Sequence, residues 1–315
     1  MVSAMALVSA PAHALDLSAE PLQPLKPPHG LQEDIVALGR ALFHDPRLSA
    51  DDSISCAHCH DLANGGVDGQ AVSSGIDGRK GKMNAPTVFN SSLNFRQFWD
   101  GRAATLEEQI NGPITRAVEM GSSWPNVVAK LNGDPQMKRR FEEAFGGPAT
   151  ADRVRRAIAD FERSLITLDS PFDRYLQGDQ DAISDQAREG YRLFKRYGCA
   201  ACHQGRLVGG NLYQKLGVAE PFFAVAHVVE HEDFGRYNVT AREQDKHLFK
   251  VPSLRNVALT APYLHDGAVN TLEQMVRLMG RHQLGVEIPR NNVDAIVAFL
   301  HTLTGKHPEL KATTP

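Results

Sequence analysis

Four cysteines and two tryptophans are all that 315 residues carry of either type. No apolar run approaches the roughly 20 residues that a membrane-spanning helix needs, so a membrane span is excluded. Basic side chains do not outnumber acidic ones, with 34 Lys and Arg against 37 Asp and Glu. Nucleic acid as a partner calls for a clustered basic face, and nothing of that kind is present. What remains is the composition of a soluble globular protein, 42% apolar and 23% charged, long enough for two ordinary domains.

The few cysteines are placed with a pattern. Cys56-Ala57-His58-Cys59-His60 and Cys199-Ala200-Ala201-Cys202-His203 use all four. A Cys-x-x-Cys-His run is the attachment sequence of a c-type haem. Two thiols add to the two vinyl groups on one porphyrin edge, and the next imidazole reaches the iron while its other nitrogen holds a hydrogen bond. A redox dithiol or half of a zinc site are the bland readings. Two copies, each ending in histidine with no cysteine to spare, weigh against both. The chain therefore reads as a carrier of two covalent c-type haems, with His60 and His203 as iron ligands. Haem propionates would make the holoprotein more acidic than the formal charge of −3.

Residues 1–14 are small and apolar and end in Ala12-His13-Ala14, an A-x-A-like cleavage site. They lack a basic start and read as the remnant of a signal peptide. Haem attachment outside the bacterial cytoplasm agrees with export, which makes the expected location periplasmic. Residues 15–30 are proline-rich and read as an extended lead-in. A helix follows with Leu31, Ile35, Leu38 and Leu42 on one stripe. The second motif has a similar prelude, capped by Ser184, with Ala187, Tyr191 and Phe194 inward. Leu38-Gly39-Arg40-Ala41-Leu42-Phe43 and Glu189-Gly190-Tyr191-Arg192-Leu193-Phe194 suggest one module used twice.

From Asp61 to Phe98 the glycine-rich, weakly periodic sequence predicts a long ordered loop. Helices are expected from Thr105, at a capping-box pattern, from Asp134-Pro135 to Gly146-Gly147, and over Thr150–Leu168. Gly205 to Lys250 reads as loop. Thr271 caps a helix carrying Leu272, Met275, Val276 and Met279, and a last helix runs from about Asn292 to Leu303. The fold class is all-α, as two cytochrome-c-like domains, each with one covalent haem. Their expected extents are 15–170 for the first and 171–315 for the second.

Asn84-Ala85-Pro86-Thr87, Phe98-Trp99-Asp100-Gly101-Arg102, Val118-Glu119-Met120, Phe249-Lys250-Val251-Pro252, Leu254-Arg255-Asn256 and His265-Asp266-Gly267 occur in this order. Through them and the haem motifs the chain resembles the bacterial dihaem cytochrome c peroxidases, relatives of the MauG proteins, from about Leu31 to Gly305. The resemblance implies that the first haem is peroxidatic and the second a high-potential relay. It places the distal pair on Gln109 and Glu119, Glu119 to shuttle the proton and Gln109 to hold peroxide. Trp99 matches the tryptophan between the haems, and His203 with Met279 would ligate the second iron. A calcium ion between the domains is also implied, held by the Asn84 side chain and the carbonyls of Thr260 and Pro262.

One departure stands out. Where the family carries a histidine that caps the resting peroxidatic iron, this chain has Ile76, with Asn84 downstream still in register. Isoleucine cannot bind iron, so the first haem is expected to be open at rest. Lys80, Lys82 and Met83 in the same loop remain alternative ligands. The leading reading is a peroxidase that reduces hydrogen peroxide with electrons from a small cytochrome c or a cupredoxin. A MauG-like enzyme oxidising a protein or organic substrate is the alternative, disfavoured by Met279 where MauG has tyrosine. A plain electron-transfer cytochrome would have no use for Glu119. The family's habit of forming homodimers extends to this chain as an implication only.

Overall fold

A computed structural model of the chain describes residues 19–223 and 229–311. The signal-like segment 1–14 lies outside the described residues. Eleven α-helices can be followed among those described: α1 Glu33–Phe43, α2 Cys56–Cys59, α3 Leu106–Thr115, α4 Trp124–Gly133, α5 Pro135–Phe145, α6 Ala151–Ser164, α7 Pro171–Leu176, α8 Asp185–Arg196, α9 Tyr237–Thr240, α10 Leu272–Leu284 and α11 Arg290–His301. Two three-residue strands, β1 Tyr213–Lys215 and β2 Leu248–Lys250, pair antiparallel within the stretch read as loop.

Side-chain caps set most helix starts. Thr105, Asp134, Thr150, Ser184 and Thr271 each accept a backbone N–H from the first turn, which satisfies donors the helix itself leaves orphaned. At α3 the Glu108 carboxylate reaches one residue further back than a capping box requires, to the Ala104 N–H at 2.6 Å. α6 ends at Ser164, before the expected Leu168. Beyond it the chain leaves to pair elsewhere: Thr167 N–H donates to Asn90 Oδ1 at 2.9 Å and Leu168 bridges to Lys306. α4 and α7 are additional to the helices the sequence predicts; each opens with proline in its first turn, a position that suits proline.

Two apolar cores organise the chain. One gathers Ile35, Leu38, Leu42, Phe141, Val154, Ile158 and Leu165 among others, and the second Phe172, Tyr191, Phe194, Val276, Val293, Ile296 and Leu303. Each is built on a crossed helix pair, α1 on α6 and α8 on α11. The chain ends are exchanged between them. Leu22 of the lead-in packs into the second core, with Gly205 N–H donating to Pro21 O at 2.8 Å. Leu310 returns to the first core, where Glu309 pairs with Arg40 at 2.5 Å.

A longer repeat emerges beyond the helix pairs. Pro86, Asn90, Asp100, Gly101, Thr105, Leu106 and Glu107 recur at one constant offset as Pro252, Asn256, Asp266, Gly267, Thr271, Leu272 and Glu273. The backbone repeats with them. Asn90 and Asn256 are left-handed at φ 61° and 60°, and Phe98 and Leu264 at 69° and 72°. The bridges Gln97–Ala103 and Tyr263–Val269 match as well. A bulky side chain at such φ is strained, and here the same strain is built twice. Both asparagines are fully buried and hydrogen-bond the Thr167 side chain, Asn90 at 2.9 Å and Asn256 at 3.1 Å.

Candidate active site

A cavity opens beside each Cys-x-x-Cys-His turn. The first, about 530 Å³, is walled in part by Cys56, Cys59 and His60. The second, about 450 Å³, is walled by Cys199, Cys202 and His203. Both volumes suit a cofactor. The two dithiols therefore serve separate cavities and do not meet as one zinc site. Burial pushes Cys56 up to about 12 and Cys59 and Cys199 up to about 11, opposite to what a reactive redox dithiol needs.

The two histidines are prepared alike. His60 Nδ1 lies 3.2 Å from Gly66 O, and His203 Nδ1 lies 3.3 Å from Val208 O. A ring whose Nδ1–H is taken by a carbonyl presents Nε2 as the lone-pair donor. Burial pushes both imidazoles down, His203 to about 4, so each stays neutral, as a metal ligand must.

The repeat extends to the facing walls. α3 presents Leu106, Gln109, Ile110, Pro113 and Ile114 to the first cavity. α10 presents Leu272, Met275, Val276, Met279 and Gly280, their counterparts, to the second. Met279 thus occupies the place that Pro113 occupies in the first cavity. Met275, in the place of Gln109, also lines the second wall, so the choice of Met279 as ligand rests on the family resemblance. Tyr263 shares that wall, and its hydroxyl donates to Val257 O at 3.1 Å.

Glu119 and Gln109 line the same cavity as His60. Glu119 is 34% exposed and its carboxylate lies 3.3 Å from Arg116 Nε. Burial raises its carboxyl above the ordinary range, with Arg116 and Arg102 acting against the rise. The loop with Ile76 is docked on this segment. Ile76 N–H donates to Glu119 O at 2.9 Å, and Gly75 fits because it lacks the Cβ that would stand 2.2 Å from Val118 O. Ile76 itself is 8% exposed, packed over Gly121, and is not among the residues lining the cavity. Lys80 also stays off the wall and donates to Ser74 Oγ at 2.7 Å. Lys82 and Met83 do line it, and Lys82 pairs with Glu232 at 3.6 Å.

Asn84, Trp99 and Lys250 border both cavities. The Trp99 indole N–H donates to Asn84 O at 2.9 Å, which fixes the ring at the junction. Asn84, Thr260 and Pro262 all line the second cavity. The Asn84 amide donates to Gln70 O at 2.9 Å and Ala71 O at 3.3 Å. That turns Oδ1 away as an acceptor with no protein donor among the described residues.

Lys250 and Glu162 are buried on the cavity walls with no ion-pair partner among the described residues, which the sequence does not lead one to expect. Glu162 follows Ile158 by one helical turn, on the apolar face of α6, a placement that could have marked it. It is 5% exposed, lines the first cavity and accepts only a long 3.5 Å hydrogen bond from Ser91. Burial pushes its carboxyl up to about 8. The folded chain therefore holds a proton that the unfolded chain releases above pH ~4.3. Stability from this group is present below that value and is lost as pH rises through about 8, at up to about 1.4 kcal/mol per pH unit. Glu162→Gln should gain melting temperature on the native protein between pH 5 and 8 and hold a constant advantage above. A difference independent of pH would contradict this.

A family model for di-haem cytochrome c peroxidases matches residues 33–181. The chain is 53% identical over 289 residues to the cytochrome c peroxidase Ccp of Escherichia coli, a match covering 91% of this chain and 61% of that protein. It thus spans about three fifths of that relative's length. The cytochrome c551 peroxidase of Nitrosomonas europaea is 47% identical over 293 residues, 93% of this chain and 86% of that one. Among solved structures, a MauG-like protein associated with microbial copper homeostasis aligns with a TM-score of 0.81 at 28% identity, over 95% of this chain and 98% of the other. With two cavities, each floored by a Cys-x-x-Cys-His turn, and relatives of this identity, the chain belongs to the di-haem cytochrome c peroxidase family.

Proposed function

We propose that the chain is a periplasmic peroxidase, built of two cytochrome-c-like domains, that reduces hydrogen peroxide to two waters. The two electrons come from a small soluble cytochrome c or cupredoxin, and two protons complete the balance. The observation that carries this reading is the sharing of one cavity by His60, Gln109 and Glu119. No described helix is long and apolar enough to cross a membrane, which agrees with a soluble donor's partner.

The residues fit covalent haem: a dithiol and an oriented imidazole beside each cavity, with the buried Lys250 bordering both. When bound, haem supplies the iron coordination and electron transfer that O–O cleavage needs. His60 and His203 would be its ligands through Nε2. Gln109 offers an amide to orient peroxide against the first iron site. The Glu119 carboxylate takes the proton from one peroxide oxygen and returns it to the other, so that the leaving oxygen departs as water. Arg116 keeps that carboxylate in place. Trp99, held at the junction by Asn84, puts an aromatic ring between the two sites. The Asn84 side chain and the carbonyls of Thr260 and Pro262 are oxygen donors of the kind calcium takes.

The first site is read as open at rest. Pro113 stands where the second cavity has Met279, and Ile76 is packed away from the wall. Neither can ligate iron. The second site is read as closed by His203 and Met279, a thioether that raises the potential. Met279, in the place where MauG has tyrosine, favours the peroxidase over a MauG-like oxidase.

Electron paramagnetic resonance of the oxidised protein, followed by peroxide turnover with and without pre-reduction, tests both parts. A high-spin ferric signal from the first haem and full turnover without pre-reduction are expected. Two low-spin signals would mean that Met83, Lys82 or another group ligates the first iron. Absence of peroxide turnover under either condition would remove the peroxidase reading.

A further inference from the structure

Lys250 is 7% exposed and has no hydrogen-bond or ion-pair partner for its ammonium among the described residues. It closes β2, whose partner for this residue is Tyr213, and its side chain borders both cavities. In the repeat its counterpart is Asn84. The two positions are tied reciprocally across the halves: Lys250 N–H donates to Trp99 O at 2.8 Å, and Asn84 N–H to His265 O at 2.7 Å. Trp99 and His265 are themselves counterparts. The pair Asn84 and Lys250 thus marks the centre of the contact between the two sites.

A buried ammonium without a counter-charge is strongly unfavourable. No charged group among the described residues offsets it, and burial alone pushes its pKa down to about 8. The shared wall near it offers Asn84, Asn94, Thr87 and Trp99, all uncharged. The cavities that Lys250 borders are where a counter-charge can reach it. We propose that Lys250 is the counter-ion of a haem propionate at the junction, a positioning residue that sets the reduction potential of the haem whose carboxylate it holds. This rests on each cavity holding a haem.

A positive charge beside the propionate offsets negative charge near the iron and favours the ferrous form. Removing it favours ferric iron. At several ångströms in a medium of low polarity, one unit charge moves such an equilibrium by tenfold or more. The test is spectroelectrochemical titration of the wild-type holoprotein and of Lys250→Met and Lys250→Arg, after a haemochrome assay has counted the haems. Lys250→Met should lower the reduction equilibrium of at least one haem by tenfold or more, which is about 59 mV for one electron. Lys250→Arg should keep both within threefold of wild type. If Lys250→Met does not load both haems, Lys250→Gln, with a neutral polar head, is read in its place.

Unmoved potentials in a fully loaded neutral variant would overturn the proposal, as would an arginine variant that behaves like the neutral one. A shift in the wild-type potentials when chloride is exchanged for sulfate at constant ionic strength would assign the amine to a solvent anion and overturn it as well. Fewer than two haems in the wild-type protein would instead remove the two-haem reading on which it rests.

Discussion

Replacing Glu119 by Gln is expected to lower peroxide turnover by roughly 10²–10⁴-fold. Glutamine keeps the volume and a hydrogen-bonding head, so the cavity wall and the docked Ile76 N–H, which uses the Glu119 backbone carbonyl, are undisturbed. What disappears is the carboxylate proposed to take the peroxide proton and give it back. The absorption spectra of both haems should be nearly unchanged, since His60 and His203 donate their Nδ1–H to the carbonyls of Gly66 and Val208. The pH profile adds a second readout. In its proposed role Glu119 must start deprotonated, and burial raises its pKa. Wild-type turnover should therefore fall, on acidification, at a pH above that of an ordinary carboxyl near 4.3. The variant should lose that acidic limb. Turnover within threefold of wild type would remove Glu119 from the proton path.

The haem motifs, the capped helices and the long loop before Phe98 were readable because each rests on local chemistry. Spacing of Cys and His, a Ser or Thr before an apolar stripe, and glycine-rich aperiodic sequence need no tertiary partner to be recognised. The misses have a different origin. α6 stops at Ser164 because Asn90, far away in sequence, takes the Thr167 N–H. The β1–β2 pairing is three residues long on each side and shows no alternation. The Asn90–Glu107 repeat was visible in principle, but its identities are scattered among dissimilar neighbours. Only the matching left-handed residues and bridges make it compelling. Gln109, Glu119, Trp99 and Met279 came from family resemblance, since a glutamate or methionine on a helix has no signature of its own. Lys250 was hidden for a related reason: a lysine after Leu248 and Phe249 looks like a solvated strand end until its burial is known.

The other large effect concerns the module that is used twice. In α1 a Cβ at Gly39 would stand 1.9 Å from Ala157 O and 2.8 Å from Phe161 Cβ; in α8 a Cβ at Gly190 would stand 1.9 Å from Ala295 O and 2.9 Å from Phe299 Cβ. The obstacles are backbone atoms of a packed partner helix, so no rotamer change can relieve them. Gly39→Ala and Gly190→Ala each gain helix propensity of about 1 kcal/mol, yet must push α6 or α11 away. The balance is a net loss on the order of 3 kcal/mol, or roughly 6–12 °C in melting temperature for a domain of this size. Gly133, with nothing within 4 Å of its Cβ position, is the control, and Gly133→Ala should melt close to wild type. Because the two contacts share no residue, the double variant should lose the sum of the single effects. Equal losses at Gly39 and Gly190 would mean that each half depends on its own close helix crossing to the same degree. Melting of either variant alongside the control would mean that the crossing can open without harm, and the module would have to owe its stability to the cavity contents instead.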